Sequence, residues 1–569
     1  MSHKISSSVT CLVALTLLAN PAQALVTSAT TPTSTIKQLT DYVSPTTFQR
    51  DSTDPSISQD GSTIVFTSDT DLVPGRNPNH LNNIYIMNSD GSGLRQLTAA
   101  AIPTTPVVST SYYNTSTPPR VSANGKVVVF ASYYDLTGEN PPEYFSDASY
   151  YLPNYQLFII NSDGSGLRQL TRGTGGHSLK PRISNDGRTI AFESTHDLVG
   201  ANGDHTQEIF VINADGTGLA QITNGMPKPY RPDVNIRGDE SRNVSISGDG
   251  TTVAFDSFND LLPPKNDDWN NEIFVFDLAG YRSAGGTISD LKRFTVQVTN
   301  VDADASGHSR QEDSFEPSLS HDGSLVAFSA CINPLGENPD LPDVIFMAKR
   351  DGGGLRQLTF SDDPNAYAPG SGWENKDDDA HWPEISADGT KIVFGTRSRA
   401  DLAPSSKKYE IAMIDLNAPL DRNGRPVVEQ LTNQIRPAVT QLTFGGTDGS
   451  RLRPSISADA NRITLGTTSN LTGGNADLNS EIFLIQPLVA VAPPVVTPPV
   501  VETPIVTTPV EDGSSNAPLS TNTTTAATKN SDGGGGAFGL IDALFGVVAF
   551  GTLVRRRRTA LSRTHGDKR

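Results

Sequence analysis

The chain has almost no cysteine: Cys11 and Cys331 are the only two in 569 residues. Cys11 lies in a mostly apolar run, Val9 to Leu18, preceded by Lys4 and followed by Ala22-Gln23-Ala24. A basic start, a short apolar stretch and small residues make residues 1–24 a secretory signal, with cleavage between Ala24 and Leu25. Pro21 argues against a buried first helix. Only Cys331 survives that cleavage, so packing without an intrachain disulfide must hold the fold, even in an oxidising compartment. Cys331 follows the apolar Val326-Ala327-Phe328 and is expected to be a buried, inert thiol.

Basic charge is also scarce. The formal charge is −18. Without residues 1–24 and 537–569 the body keeps 36 basic against 60 acidic residues, near −24. This excludes nucleic acid as a partner, since phosphate demands the opposite sign. Cations, basic peptides and neutral sugars remain. Helical periodicity is missing from every long stretch, while 49 glycines and 39 prolines supply turns, which points to an all-β chain. There is no Gly-x-Ser-x-Gly elbow, no His-Glu-x-x-His and no paired-cysteine metal site.

What the chain does have is a repeat. Asn88-Ser-Asp-Gly-Ser-Gly-Leu-Arg-Gln-Leu-Thr98 recurs letter for letter at Asn161 to Thr171, with looser copies at Asn213 to Thr223 and Asp351 to Thr359. A second element, Pro-x-apolar-Ser-x-Asp-Gly, starts at Pro55, Pro119, Pro181, Pro317, Pro383 and Pro454, and at Val244 without the Pro. Asn124 replaces the turn Asp in the second copy and Ala460 the turn Gly in the last. Each of the seven units reads as four strands: Pro55 to Ser58, Ile64 to Ser68, Ile84 to Met87 and Leu94 to Thr98 in the first. The Asp-Gly pairs form tight turns. The second and third strands are near-continuous apolar runs, as expected of strands buried on both faces.

The expected fold is therefore a seven-bladed β-propeller over residues 35–486, made of four-stranded antiparallel blades. The last unit lacks a fourth strand, and Ile36-Lys37-Gln38-Leu39-Thr40 at the other end of the body supplies one. Pairing the two closes the ring and removes an exposed edge. In the sixth unit Gln430-Leu431-Thr432 and Gln441-Leu442-Thr443 compete as the fourth strand.

These blades resemble the WD40-like (PD40) repeats of the TolB propeller family, whose hallmark is the same Pro-x-apolar-Ser-x-Asp-Gly followed by an apolar strand. The resemblance implies the propeller fold. TolB has six blades behind an α/β domain, absent here, so its role in the Tol complex does not carry over. Related propellers precede hydrolase domains in prolyl-oligopeptidase-like enzymes, but the 83 residues after Gln486 are too few for one. TolB-like propellers also occur in polysaccharide lyases with histidine-held metals. His80, His177, His196, His205, His308 and His381 would be the histidines of such a site, although their spacing shares no ligand pattern.

The loops after the second and fourth strands share one face and are the long ones, so a ligand is expected there. Trp269, Trp373, Trp382, Tyr112, Tyr144 and Tyr151 are the candidate ligand-binding residues; the plainer reading makes them small cores of the loops themselves. Asp302, Asp304, Ser306 and Asp313 approximate a calcium loop of alternating oxygens, against the preferred reading of a solvated acidic connection. The recurring Asp-Leu at Asp71, Asp135, Asp197, Asp260 and Asp401 is expected to be structural, with the carboxylate bonding turn amides over a packed Leu.

Residues 487–536 form a Pro/Thr/Ser/Gly-rich spacer ending in Gly533, Gly534, Gly535 and Gly536. An apolar stretch from Ala537 to Val554 follows, about 27 Å if helical. It is followed by Arg555 to Arg558 and a tail over 559–569, and the arginines would stay cytoplasmic. The order resembles the GlyGly-CTERM sorting signal, which implies inner-membrane contact, cleavage near the glycines by a rhombosortase-type protease, and delivery to the cell surface or medium. A retained single-span anchor is the alternative. The function expected is a binding or scaffold module for a protein, glycan or matrix ligand, with a metal-dependent polysaccharide-active enzyme as the runner-up.

Overall fold

The computed structural model describes residues 34–42, 51–100, 118–139, 144–147, 150–225, 240–263, 270–301, 313–336, 343–359, 380–396, 409–417, 439–443, 452–475 and 477–488. The chain divides into two units, Met1–Val491 and Ala492–Arg569, and every described residue belongs to the first. The signal cleavage site at Ala24 and Leu25, Gly533 to Gly536 and the apolar stretch with its arginine cluster, 537–558, lie outside the described residues. Among the described residues no helix is long and apolar enough to cross a membrane.

Seven four-stranded antiparallel sheets follow one another as the repeat predicts. Blade one is Ser52–Ile57, Thr63–Ser68, Asn83–Asn88 and Arg95–Gln96. Blades two to six begin with Arg120–Val121, Ser178–Ile183, Ser241–Ile246, Ser314–Leu319 and Ala380–Ile385. In blade seven Ser455–Ile456, Ile463–Thr467 and Glu481–Pro487 are completed by Ser34–Gln38. Ser34 faces Pro487, Ile36 faces Ile485 and Gln38 faces Phe483. The N-terminal strand thus closes the ring. In blade six the fourth strand is Val439–Gln441, so Gln441-Leu442-Thr443 is the copy that pairs.

The two repeat motifs have separate jobs. In the first turn Ser58 Oγ donates to Asp60 and accepts from Thr63 N (3.0 Å), while Gly61 N donates to Ser58 O (2.8 Å). Every blade repeats this, with Asn124 taking the Asp role at 2.9 Å from Ser122 Oγ. The residues after these serines form a circle of backbone bonds, from Ala123 N to Asn185 O (3.0 Å) round to Ala458 N on Gln59 O (2.8 Å), which joins blade seven to blade one. The Gln-Leu-Thr motif locks the fourth strand. Its Thr hydroxyl accepts the amide of the third strand, as Ile84 N on Thr98 and Leu157 N on Thr171 (both 2.9 Å). The Gln amide donates to the Thr carbonyl, Gln96 to Thr98 at 2.6 Å. Gln38 and Thr40 do both things for blade seven: Gln38 Nε2 to Thr40 O at 2.9 Å, and Ile482 N to Thr40 Oγ1 at 2.9 Å.

The core is a set of interfaces between neighbouring sheets. Ala191, Val211, Phe255 and Phe274 pack blade three on blade four, and each successive pair of blades has its own cluster. The closing interface joins Phe66 and Tyr85 of blade one to Ile482 and Leu484 of blade seven. Cross-strand aromatic pairs fill blades one to five, such as Phe66–Tyr85 and Phe192–Phe210 with centroids 5.7 and 5.6 Å apart.

Two local features depart from the sequence expectation. Tyr144–Asp147 and Tyr150–Pro153 pair as a small hairpin inside the long loop of blade two. In blade four two short helices, Leu278–Ser283 and Leu291–Phe294, replace the second tight turn; Asp277 caps the first through Gly280 N at 2.9 Å.

Candidate functional site: the axial chamber

The first strands of all seven blades line a central channel. On the loop side it widens into a chamber of about 400 Å³; on the turn side lies a smaller space of about 110 Å³. Two rings of side chains, both set by the repeat, shape it. The residue before the motif Pro (or Val244) gives Asp54, Pro118, Lys180, Asn243, Glu316, Trp382 and Arg453, all lining the chamber. The residue after it gives Ser56, Arg120, Arg182, Ser245, Ser318, Glu384 and Ser455. Arg120, Arg182, Ser245, Ser318 and Glu384 border both spaces and so form the partition between them.

A bulge aims the first ring inward. Pairing with the second strand shifts register between Thr53 and Ser56, and at the same place in blades three to six. The bulged residues Asp54, Lys180, Asn243, Glu316 and Trp382 all have positive φ, from 48° to 60°. Non-glycine residues adopt this conformation at a cost of roughly 1–3 kcal/mol, and such strain gathers at functional positions. Carboxylates from the preceding blade satisfy several of the freed amides. Asn243 N donates to Glu193 (2.7 Å), Glu316 N to Asp256 (3.1 Å) and Trp382 N to Glu316 (2.8 Å). Burial alone would raise the Glu316 carboxyl, but the hydrogen bond and charge of His381 and the Trp382 amide outweigh it and hold the group below its usual range.

The second ring stitches the inner strands together. Ile57 N donates to Ser455 Oγ (3.1 Å), Leu319 N to Ser245 Oγ and Ile385 N to Ser318 Oγ (both 3.2 Å). Arg182 bonds Val244 O and reaches across the channel from blade three to Glu384 of blade six, at 3.3 Å. That ion pair closes part of the floor. Lys180 pairs with the buried Glu193 at 3.0 Å, and the Arg453 guanidinium lies 5.0 Å from the centre of the Trp382 ring. Burial first, and then the like charge of Arg182, push the Arg120 guanidinium down to about 9. A guanidinium keeps its proton near neutrality, so the downward direction reflects burial beside like charge rather than deprotonation.

The sequence candidates fare unevenly. Trp382, a candidate for the loop face, sits in the first strand of blade six, only 8% exposed, on the wall of the loop-side chamber. Trp269, Trp373 and Tyr112 lie outside the described residues, and Tyr144 and Tyr151 are placed only as backbone of the small hairpin. Asp302, Asp304 and Ser306 also lie outside. Asp313 accepts Asn271 N at 2.8 Å and Cys331 N on its carbonyl at 3.0 Å, tying blade four to blade five. Among the described residues no three His, Cys, Asp or Glu side chains converge as metal ligands.

His196 is fully buried between Ser178 Oγ and Asn154 Oδ1, each 3.0 Å away. Burial and the nearby His177 push it down to about 4. Cys331 is buried as expected. Two of the Asp-Leu loop entries show the expected structural role: Asp71 accepts the amides of Gly75, Arg76 and Asn77 while Leu72 packs on the core, and Asp197 accepts Asn202 N at 2.9 Å. Asp401 lies outside the described residues.

The residues that sequence reasoning missed are Arg120, Lys180, Arg182, Glu316, Glu384 and Arg453. Their signal was the variable position on either side of the repeat's own Pro.

A propeller with an axial chamber is the class that fold and site define. No family model matches the chain, and no curated protein matches it. Among solved structures, TolB from Acinetobacter baumannii is 15% identical over 76% of this chain and 79% of its own, with a TM-score of 0.35. The β-propeller domain of the Trilobed protease from Pyrococcus furiosus is 9% identical over 77% and 95%, with a TM-score of 0.39. The tricorn protease is 11% identical over 73% of this chain and 36% of its own, with a TM-score of 0.31. These likenesses concern the propeller fold alone.

Proposed function

We propose that this chain is an exported binding or scaffold module whose ligand enters the axial chamber from the loop side. The observation that carries the reading is the pair of rings. Five blades hold a non-glycine residue at positive φ, and each of those residues faces the same chamber. Backbone strain of this kind gathers at functional positions. Export is supported by the sequence of residues 1–24, and surface delivery or anchoring by that of 533–558.

The test is a peptide and glycan array probed with residues 25–488, in wild-type form and as Trp382→Ala and Arg453→Ala. Ligands that bind the wild type should lose at least tenfold in affinity with both variants while each variant still melts cooperatively. Ligands whose binding ignores both substitutions would place recognition elsewhere and end this reading. Intact mass of the protein from membranes and medium reports separately on cleavage at Ala24 and near Gly533 to Gly536.

A further inference from the structure

We infer that the loop-side chamber takes the carboxylate of a small organic anion, held by Arg120 at the floor and Arg453 on the wall, with the body of the ligand against Trp382. This rests on the binding reading above and names its ligand class.

The argument begins with which charges already have partners. Lys180 is matched by Glu193, and Arg182 by Glu384. Glu316 is engaged by His381 and by the Trp382 amide, and the Arg453 charge also acts on it. Arg120 has no carboxylate within ion-pair distance among the described residues, and its buried Nε finds no hydrogen-bond partner there. After burial, the strongest charged influence on it is the like charge of Arg182, with Arg453 adding a third cation, against Glu384 and Asp54. Glu384 is already shared with Arg182. A planar guanidinium offers parallel donors that match a carboxylate, and a buried one left unmatched is costly.

Size and charge narrow the ligand further. A chamber of about 400 Å³ lies within the range of small-molecule pockets. The Arg182–Glu384 pair crosses the channel between the two spaces, which favours a terminal group over a threaded chain at Arg120. The acidic body, near −24, repels polyanions, whereas a single carboxylate on a neutral body meets little opposition. The Trp382 ring, with Arg453 stacked on it, offers a flat apolar surface for that body.

Sodium benzoate is the probe, with benzamide as its neutral counterpart and sodium chloride at matched ionic strength as the control. Benzoate should raise the melting temperature of the wild type above both controls. Arg120→Met should weaken benzoate binding at least tenfold and melt at or above the wild type, because an unmatched cation has been replaced by a shorter, unbranched apolar side chain. Arg453→Gln, at an exposed position, should weaken binding similarly and keep the fold whatever Arg120→Met does. The inference is overturned by no benzoate-specific stabilisation of the wild type, by equal stabilisation of both variants, or by a melting temperature of Arg120→Met well below that of the wild type. The last result would make Arg120 a structural cation. Array ligands without any carboxylate that still depend on Trp382 would overturn it too, while leaving the binding reading intact.

Discussion

At the scale of single residues, the repeat writes the same hydrogen bonds seven times, and one copy can be weighed against another. Ser247 is fully buried, donates to Asp249 and accepts from Thr252 N at 3.0 Å. Ser247→Ala strands a buried amide and should cost about 1–3 kcal/mol by urea unfolding, whereas an exposed serine such as Ser92 should cost far less. Glu208 begins the third strand of blade three and accepts Thr223 Oγ1 and Gly225 N. Burial pushes its carboxyl up to about 7 from 4.5. An acid whose folded pKa is raised binds more protons folded than unfolded. Its contribution to stability is therefore present at low pH and is lost as pH rises from about 4.5 through about 7. Gln156 fills the same position in blade two, accepting Thr171 Oγ1 at 2.7 Å. Glu208→Gln should thus keep the fold and flatten the dependence of melting temperature on pH across that window. An unchanged slope would show that Glu208 stays ionised.

At the scale of elements, what recurs was legible and what varies was not. Pro-x-apolar-Ser-x-Asp-Gly and Gln-Leu-Thr announced the turns and the fourth strands, because hydrogen bonding demands the same side chains in every blade. The N-terminal strand could be assigned for that reason alone: Gln38-Leu39-Thr40 carries the motif that blade seven lacks. The channel rings were invisible because a search for repeats discounts the positions that differ. Asp54, Pro118, Lys180, Asn243, Glu316, Trp382 and Arg453 occupy one structural place with seven different residue types. The bulge that turns them inward has no composition signal, since the strained residues are not glycines. Thr40→Val tests the element directly. It removes the acceptor for Ile482 N and the donor to Glu481, and should cost about 1–3 kcal/mol, as Thr171→Val should in blade two. A silent Thr40→Val beside a costly Thr171→Val would separate the N-terminal strand from the other six.

At the scale of the whole molecule, closure and site are one problem. Blade seven gives Arg453 and Ser455 to the channel, and blade one gives Asp54 and Ser56. Those two blades meet through Ile482, Leu484, Phe66 and Tyr85, over a sheet whose outer strand comes from the far end of the chain. Loosening that strand should therefore open the chamber at the junction between them. Hydrogen–deuterium exchange on residues 481–487, compared between proteins beginning at residue 25 and at residue 43, tests this most directly. Closure predicts that the shorter protein loses protection at Ile482 and Leu484 and melts well below the longer one. Equal protection and equal melting would contradict it.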